Sequence, residues 1–258
     1  MCLILFAIDS HPRYPLLVAA NRDEEYARPS TALGPWTDAP QILGGRDLKA
    51  GGTWLGLARA GRFAAVTNVR ETPTQPAWQH SRGELPTAFL RGDMPASIYA
   101  QRAQSRGELY AGFNLLLGDE SGFYYCSNRN GAEPRRLGAG VYGLSNDTLD
   151  TAWPKVESGK AELTRLLADD PSPQALLALL ADTLQASDSR LPDTGIGVAR
   201  ERLLSSRFIA SEHYGTRAST ALLVDNDGLA TVWEQNFGAR GHAGALMRYQ
   251  WPLERVPR

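Results

Sequence analysis

The sequence predicts an α+β fold in four layers, αββα, with two antiparallel sheets stacked face to face and helices outside them. Three observations predict it. Strand-like and helix-like stretches are segregated along the chain, in the order strands, helices, strands, helices, strands, which argues against the alternating units of a parallel sheet. Several strand-like runs are joined by turn sequences, as antiparallel hairpins require. The chain has 258 residues, enough to bury a large core without metals or disulfides. Two-sheet architectures of this length are routinely one domain, so residues 1–258 are expected to form a single one.

Residues 2–9 form an unbroken apolar run and read as a buried strand. Residues 11–15 carry two prolines, which cannot serve a central ladder, and read as a turn. A second apolar run, 16–20, ends in Asn21-Arg22-Asp23-Glu24. Paired as a hairpin, the two runs bring Cys2 beside that tetrad, because the start of one strand lies next to the end of the other. Residues 28–52 are rich in Pro, Gly and Asp and are expected to be a loop.

Residues 53–58 and 62–69 read as strands, and 81–90 and 96–106 carry helical spacing, giving a first helix layer. Strands are then predicted at 113–117 and 122–127 around Gly118-Asp119-Glu120-Ser121, and at 140–145, ending in Asn146. Residues 151–168 and 173–185 form the second helix layer. Strands at 219–224 and 229–235 flank Asp225-Asn226-Asp227-Gly228, a strong hairpin turn, and 245–251 reads as the last strand.

Composition narrows the function classes. Hydrophobic residues make up 43% and charged residues 21%, as in an ordinary soluble globule. The formal net charge of -1 predicts neither nucleic acid nor an acidic membrane surface as a partner. The opening MCLILFAID lacks a positive n-region and is closed early by Asp9, so it reads as neither a signal peptide nor a membrane span. No other stretch is apolar enough for an integral membrane segment. The two cysteines, Cys2 and Cys126, are then expected to be free and reduced in a cytoplasmic protein, with Cys126 packed in the interior. The sequence gives no oligomeric state.

The residues that can carry chemistry cluster at strand ends. The initiator methionine is commonly trimmed when the second residue is small, and Cys2 qualifies. Trimming of Met1 would place a thiol and a free α-amine on one residue. That amine titrates near about 7.7–8.0 and can serve as a base for the thiol. The alternative is a small hydrophobe in a buried strand. In the tetrad, an arginine favours a thiolate by charge and an aspartate can hold an amine; the alternative is a solvated strand end with a weak ion pair. Asn68 and Asn146 each follow an apolar run. Their amides are neutral donors suited to an oxyanion, or they serve the turns that asparagine favours. His11, His80, His213 and His242 show no metal-ligand spacing, and no Walker, Rossmann or G-x-S-x-G signature is present.

Taken together, these blocks resemble the NRDE family, named for the tetrad and also called the transport-and-Golgi-organisation family. The resemblance runs through MCLILFA at the start, GGRDLKAGGTWLG (44–56), GRFAAVTN (61–68), SRGEL (81–85), YGLSN (142–146), LDTAWPK (149–155) and YGTRAST (214–220), and so spans nearly the full chain. The departures are small, such as Ala152 before Trp153. That family looks like an N-terminal-nucleophile hydrolase by fold, similar to cysteine-type acylases such as bile salt hydrolases and penicillin V acylases. The acylase pattern implies Cys2 as nucleophile, Arg22 and Asp23 beside it (more tightly spaced than in those acylases), and Asn68 and Asn146 as the later asparagines. It implies a distal arginine, Arg217 in YGTR or alternatively Arg207 in SSRF. The implied function is hydrolysis of a non-peptide, linear amide C–N bond of a small acyl amide, with no cofactor required. The alternative is a non-enzymatic protein of the same fold that binds and traffics haem or an acyl-CoA or other lipid. It fits the family's links to haem trafficking and acyl-CoA handling.

Overall fold

Alternation along the first strand sets the layers. The computed structural model describes residues 2–71, 78–129 and 131–258. Strands and helices are numbered β1–β13 and α1–α5 in chain order. In β1 (Cys2–Ile8), Ile4, Phe6 and Ile8 enter one apolar core, and Leu3, Leu5 and Ala7 enter another. A strand with both faces buried reads as a continuous apolar run, which is how residues 2–8 read.

One sheet has six strands in the order β10-β1-β2-β11-β12-β13. They are β10 (Gly140–Leu144), β1, β2 (Leu16–Glu25), β11 (Tyr214–Val224), β12 (Leu229–Phe237) and β13 (Ala243–Pro252). The other sheet has seven strands in chain order from β3 to β9. They are β3 (Ser30–Trp36), β4 (Ala39–Asp47), β5 (Leu55–Ala58), β6 (Arg62–Asn68), β7 (Phe113–Asp119), β8 (Gly122–Ser127) and β9 (Arg135–Leu137). Every pairing within the two sheets is antiparallel.

The central core lies between the sheets and draws on both, with Phe6, Val18, Phe63, Leu116 and Leu222 among its members. Helices α1 (Glu84–Arg91) and α2 (Ala96–Ser105) close the outer face of the seven-stranded sheet over Phe113, Leu115 and Cys126. Helices α3 (Pro154–Leu167) and α4 (Pro173–Leu180) close the outer face of the six-stranded sheet over Leu3, Leu5 and Leu17. The αββα layering expected from the segregated pattern is the observed one. No helix among the described residues is long and apolar enough to cross a membrane.

Three local expectations are corrected. The Asn21–Glu24 tetrad does not end β2; the strand runs on to Glu25, and Cys2 pairs with Arg22 on one side while Ala218 pairs with it on the other. Ladder bonds on both flanks hold the backbone extended although its side chains turn polar. The expected loop over 28–52 contains β3 and β4. Pro35 is tolerated because β3 is an edge strand with two register irregularities, and Gly45 is required because a Cβ there would lie 2.2 Å from the Trp54 ring. Finally, β9 and the short helix α5 (Val198–Leu203) were not expected. Neither is long enough for a periodic signal.

Candidate active site

The β1–β2 register places Cys2 opposite Arg22. Both continue the alternation that sends Ile4 and Ala20 between the sheets. The Arg22 side chain is only 6% exposed. Its guanidinium stacks on Trp54 at 4.3 Å from the ring centre and lies 3.6 Å from the Asp47 carboxylate. Its Nη1 has no hydrogen-bond partner among the described residues. A cavity of about 260 Å³ opens here, lined by Cys2, Arg22, Asp23, Trp54, Asn68 and Arg82 among others. Arg82 reaches it because two backbones touch: a Cβ on Gly52 would lie 2.4 Å from the Gly83 carbonyl carbon. Burial pushes the Cys2 thiol above its ordinary range and Asp23 adds to the push, while Arg22 opposes it. Arg82 also interacts electrostatically with Cys2.

Asp23 belongs to the opposite parity of β2, the parity of Leu17 and Ala19, whose side chains face the helices α3 and α4. It is 1% exposed. Its Oδ1 accepts a 2.8 Å bond from Thr216 Oγ1. Burial raises its carboxyl above the usual range, opposed first by the Lys155 cation. Lys155 stands in the first turn of α3 and is 3% exposed. Its amine is pulled down to about 8 by burial, against the attraction of Asp23. Cys2 therefore joins two faces: its side chain lies between the sheets, and its backbone nitrogen starts β1, beside the strand β2 whose other face carries Asp23.

The two asparagines meet. Asn146 Nδ2 donates to Asn68 Oδ1 at 3.0 Å and to the Asn68 carbonyl at 3.0 Å. With its Oδ1 so engaged, Asn68 turns its amide N–H groups away from Asn146, on a residue that lines the Cys2 cavity. Asn146 is not among the cavity's lining residues; it holds Asn68 from behind, and Ser145 Oγ ties the same corner to the Cys2 carbonyl at 3.0 Å. Asn68 also lines a second cavity of about 490 Å³, with Tyr26, Val69, Ile196, Leu203 and Leu204 on its walls.

Neither candidate distal arginine lines the Cys2 cavity. Arg207 pairs with Asp182 at 2.6 Å and donates to the Leu179 carbonyl. Arg217 donates through Nη1 to the carbonyls of Glu25, Tyr26 and Arg28 and so holds the bend after β2. The distal cation in the cavity is Arg82. Asn21 is a brace, donating to the Leu180 and Arg207 carbonyls. Cys126 is a free, buried thiol pushed up to about 12 by burial alone. Among the described residues no cluster of three His, Cys, Asp or Glu side chains could hold a metal. Met1, whose removal frees the Cys2 amine, lies outside the described residues.

Sequence reasoning missed Trp54, Arg82 and Lys155. Lys155 had a signal: it precedes Gly159 and Leu163 at four-residue steps, the buried stripe of α3. A lysine in that stripe is out of place unless it has a task.

The family described as Transport and Golgi organisation 2 matches residues 1–239. The chain is 39% identical to a bovine (Bos taurus) Transport and Golgi organization protein 2 homolog over 261 residues, covering 92% of this chain and 93% of that protein. It is 38% identical to the Homo sapiens homolog over 262 residues, with the same coverage of 92% and 93%. Among solved structures it is similar to a Caenorhabditis elegans N-acylethanolamine-hydrolyzing acid amidase ortholog, with a TM-score of 0.51 at 10% identity, covering 86% of this chain and 92% of that one. That likeness is one of fold, the N-terminal-nucleophile hydrolase fold.

Proposed function

This chain belongs to the Transport and Golgi organisation 2 family, and from its fold and its cavity we propose that it is a cysteine-type N-terminal-nucleophile hydrolase of a non-peptide, linear amide C–N bond. One observation carries the reading. The residue that becomes the chain start after Met1 removal has its thiol in a cavity with Arg22, Arg82 and Asn68, while Asp23 stands on the face where its amine begins the strand. The fold shared with an amidase ortholog supports the same reaction class.

In the proposed reaction the α-amine of Cys2 takes the thiol proton. A base is needed because burial keeps the thiol protonated near neutral pH. The thiolate attacks the amide carbonyl, with Arg22 and Arg82 favouring the anion. The oxyanion is met by the Asn68 amide and a backbone N–H. The C–N bond breaks, and the leaving amine takes the proton back from the α-ammonium. Water then attacks the thioester, giving its proton to the α-amine; the acid leaves and the thiol is restored. The apolar wall of the adjoining cavity at Ile196, Leu203 and Leu204 suits an acyl chain entering past Asn68.

The test is hydrolysis of a panel of acyl amides of graded chain length by Met1-free protein, verified by intact mass. Wild type is expected to hydrolyse at least one member. Cys2→Ala is expected to abolish turnover at a stability cost of about 1 kcal/mol, and Cys2→Ser to lose most of it, since serine is the weaker nucleophile. Turnover that survives Cys2→Ala, or none across the panel, contradicts the proposal.

A further inference from the structure

Lys155 is a buried cation for which the reaction above has no use. Its Nζ has no hydrogen-bond partner among the described residues. It sits in the first turn of the 14-residue helix α3, where the helix dipole disfavours a positive charge. The helix is drawn tightly onto β1 at Gly159, where a Cβ would lie 2.6 Å from Leu5 Cδ1. That approach sets Lys155 in electrostatic reach of Cys2 and Asp23. Packing alone would favour an apolar residue here, because an unpartnered buried ammonium is costly.

The charges facing it define its effect. From β2 comes Asp23, itself acted on by Arg22 on the other parity of the strand. From the segment after β6 comes Arg70, and from α5 Glu201. These two are already committed to each other: Arg70 donates to Glu201, which also accepts from the Thr194 N–H at 3.1 Å. From β1 comes the Cys2 thiol. The Tyr214 phenol of β11, held protonated by burial and by Asp23, acts on Asp23 and Cys2. On the far side Asp182 is engaged by Arg207. Asp23 is thus the carboxylate that attracts Lys155, and it stands one residue along β2 from Arg22, the ladder partner of Cys2.

We propose that Lys155 is a positioning residue that holds its own proton beside Asp23 and thereby keeps the Cys2 α-amine uncharged, ready to act as the base. Two ammonium groups against one carboxylate, in a region already bearing Arg22 and Arg70, would leave unbalanced buried charge. In the proposal the proton resides on the amine with the higher intrinsic affinity for it, and a lysine starts near about 10.4 where an α-amine starts near about 7.7–8.0. Burial lowers Lys155, and the Asp23 carboxylate opposes that loss. Adjacent cations lower the basicity of an amine in this way in known amine catalysts. The inference rests on the terminal-nucleophile reading, because it needs a free amine on Cys2.

The test reads the amine directly and needs no substrate. Protein beginning at Cys2 is prepared with [15N]cysteine; only two residues, Cys2 and Cys126, carry label. The 15N shift of the Cys2 amine is followed against pH in wild type, Lys155→Met and Lys155→Arg. The wild-type amine is expected to titrate clearly below its ordinary range. Lys155→Met should move the midpoint up by a unit or more, and Lys155→Arg, whose charge is permanent, should keep it low. Equal midpoints in wild type and Lys155→Met overturn the proposal. If the methionine variant does not fold, wild type alone decides: an amine titrating at or above about 7.7–8.0 overturns it. The readout is independent of hydrolysis. A low, Lys155-dependent midpoint in a protein that cleaves no amide would sink the hydrolase reading alone.

Discussion

Asn68 and Asn146 act as one unit at the scale of single residues. Asn68 touches the cavity, and Asn146 donates to its Oδ1 and so fixes the orientation of the amide, whose Nδ2 makes a long 3.4 Å bond to the Val69 carbonyl. Asn68→Ala is therefore expected to lower kcat about 10²–10³-fold, the usual cost of an oxyanion donor. Asn146→Ala should lower it less, and in an Asn68→Ala background it should add nothing further. A double-mutant cycle on kcat checks this, because coupled residues fail to add. The sequence carried much of this corner: Cys2, Arg22, Asp23 and Asn68 meet in one cavity although they are spread over the first third of the chain. Strand ends and residue types made them candidates, and the family resemblance singled them out. Arg207 and Arg217 were less legible, since an arginine that holds carbonyls and one that faces a ligand look alike in sequence. Arg82 was invisible to residue-type reasoning because its neighbours are supplied by the distant β4–β5 connection, and Lys155 showed only as a lysine in the buried stripe of α3, its partners on β1 and β2 being distant in sequence.

Helices and hairpins were read well where a period or a turn sequence was present. The hairpin β7–β8 and the helices α1 to α4 fall close to their expected positions. The stretch 28–52 was read as loop because its glycines and prolines signal turns, and their tertiary use cannot be seen locally. Two of its glycines are there for close approach, Gly45 against Trp54 and Gly52 against Gly83. The Gly52 contact sets both the β4–β5 connection and the segment that carries Arg82. Gly52→Ala is expected to destabilise the protein by about 1–3 kcal/mol, as overpacking does. It should also weaken turnover by displacing Arg82. Urea denaturation midpoints and kcat/KM, measured together, check both effects.

Across the whole molecule, the two sheets are joined by apolar packing and by polar links, a buried carboxyl among them. Glu234 in β12 accepts a 2.8 Å bond from the Leu33 N–H of β3 and a 3.2 Å bond from Thr220 Oγ1. Burial raises its carboxyl above the ordinary range. A carboxyl whose folded pKa is raised stabilises the fold fully below its unfolded value, near about 4.3, and loses that contribution as pH rises through the folded value. Glu234→Gln keeps the acceptor for Leu33 and removes the ionisation. Relative to wild type, the variant should therefore gain stability as pH is raised from 5 to about 8. Chemical denaturation at several pH values checks the sign; a difference that stays flat would mean that Glu234 is ionised at no cost.

The central claim is that Cys2 works as a chain terminus, using thiol and amine together. It is tested most directly by two forms of the protein released from a fusion, one starting at Cys2 and one retaining Met1, each verified by intact mass. Both carry the same thiol in the same cavity, and only the first has the free amine on Cys2. The account predicts that the form starting at Cys2 hydrolyses acyl amides and the form retaining Met1 does not. Equal hydrolysis by the two forms would contradict it.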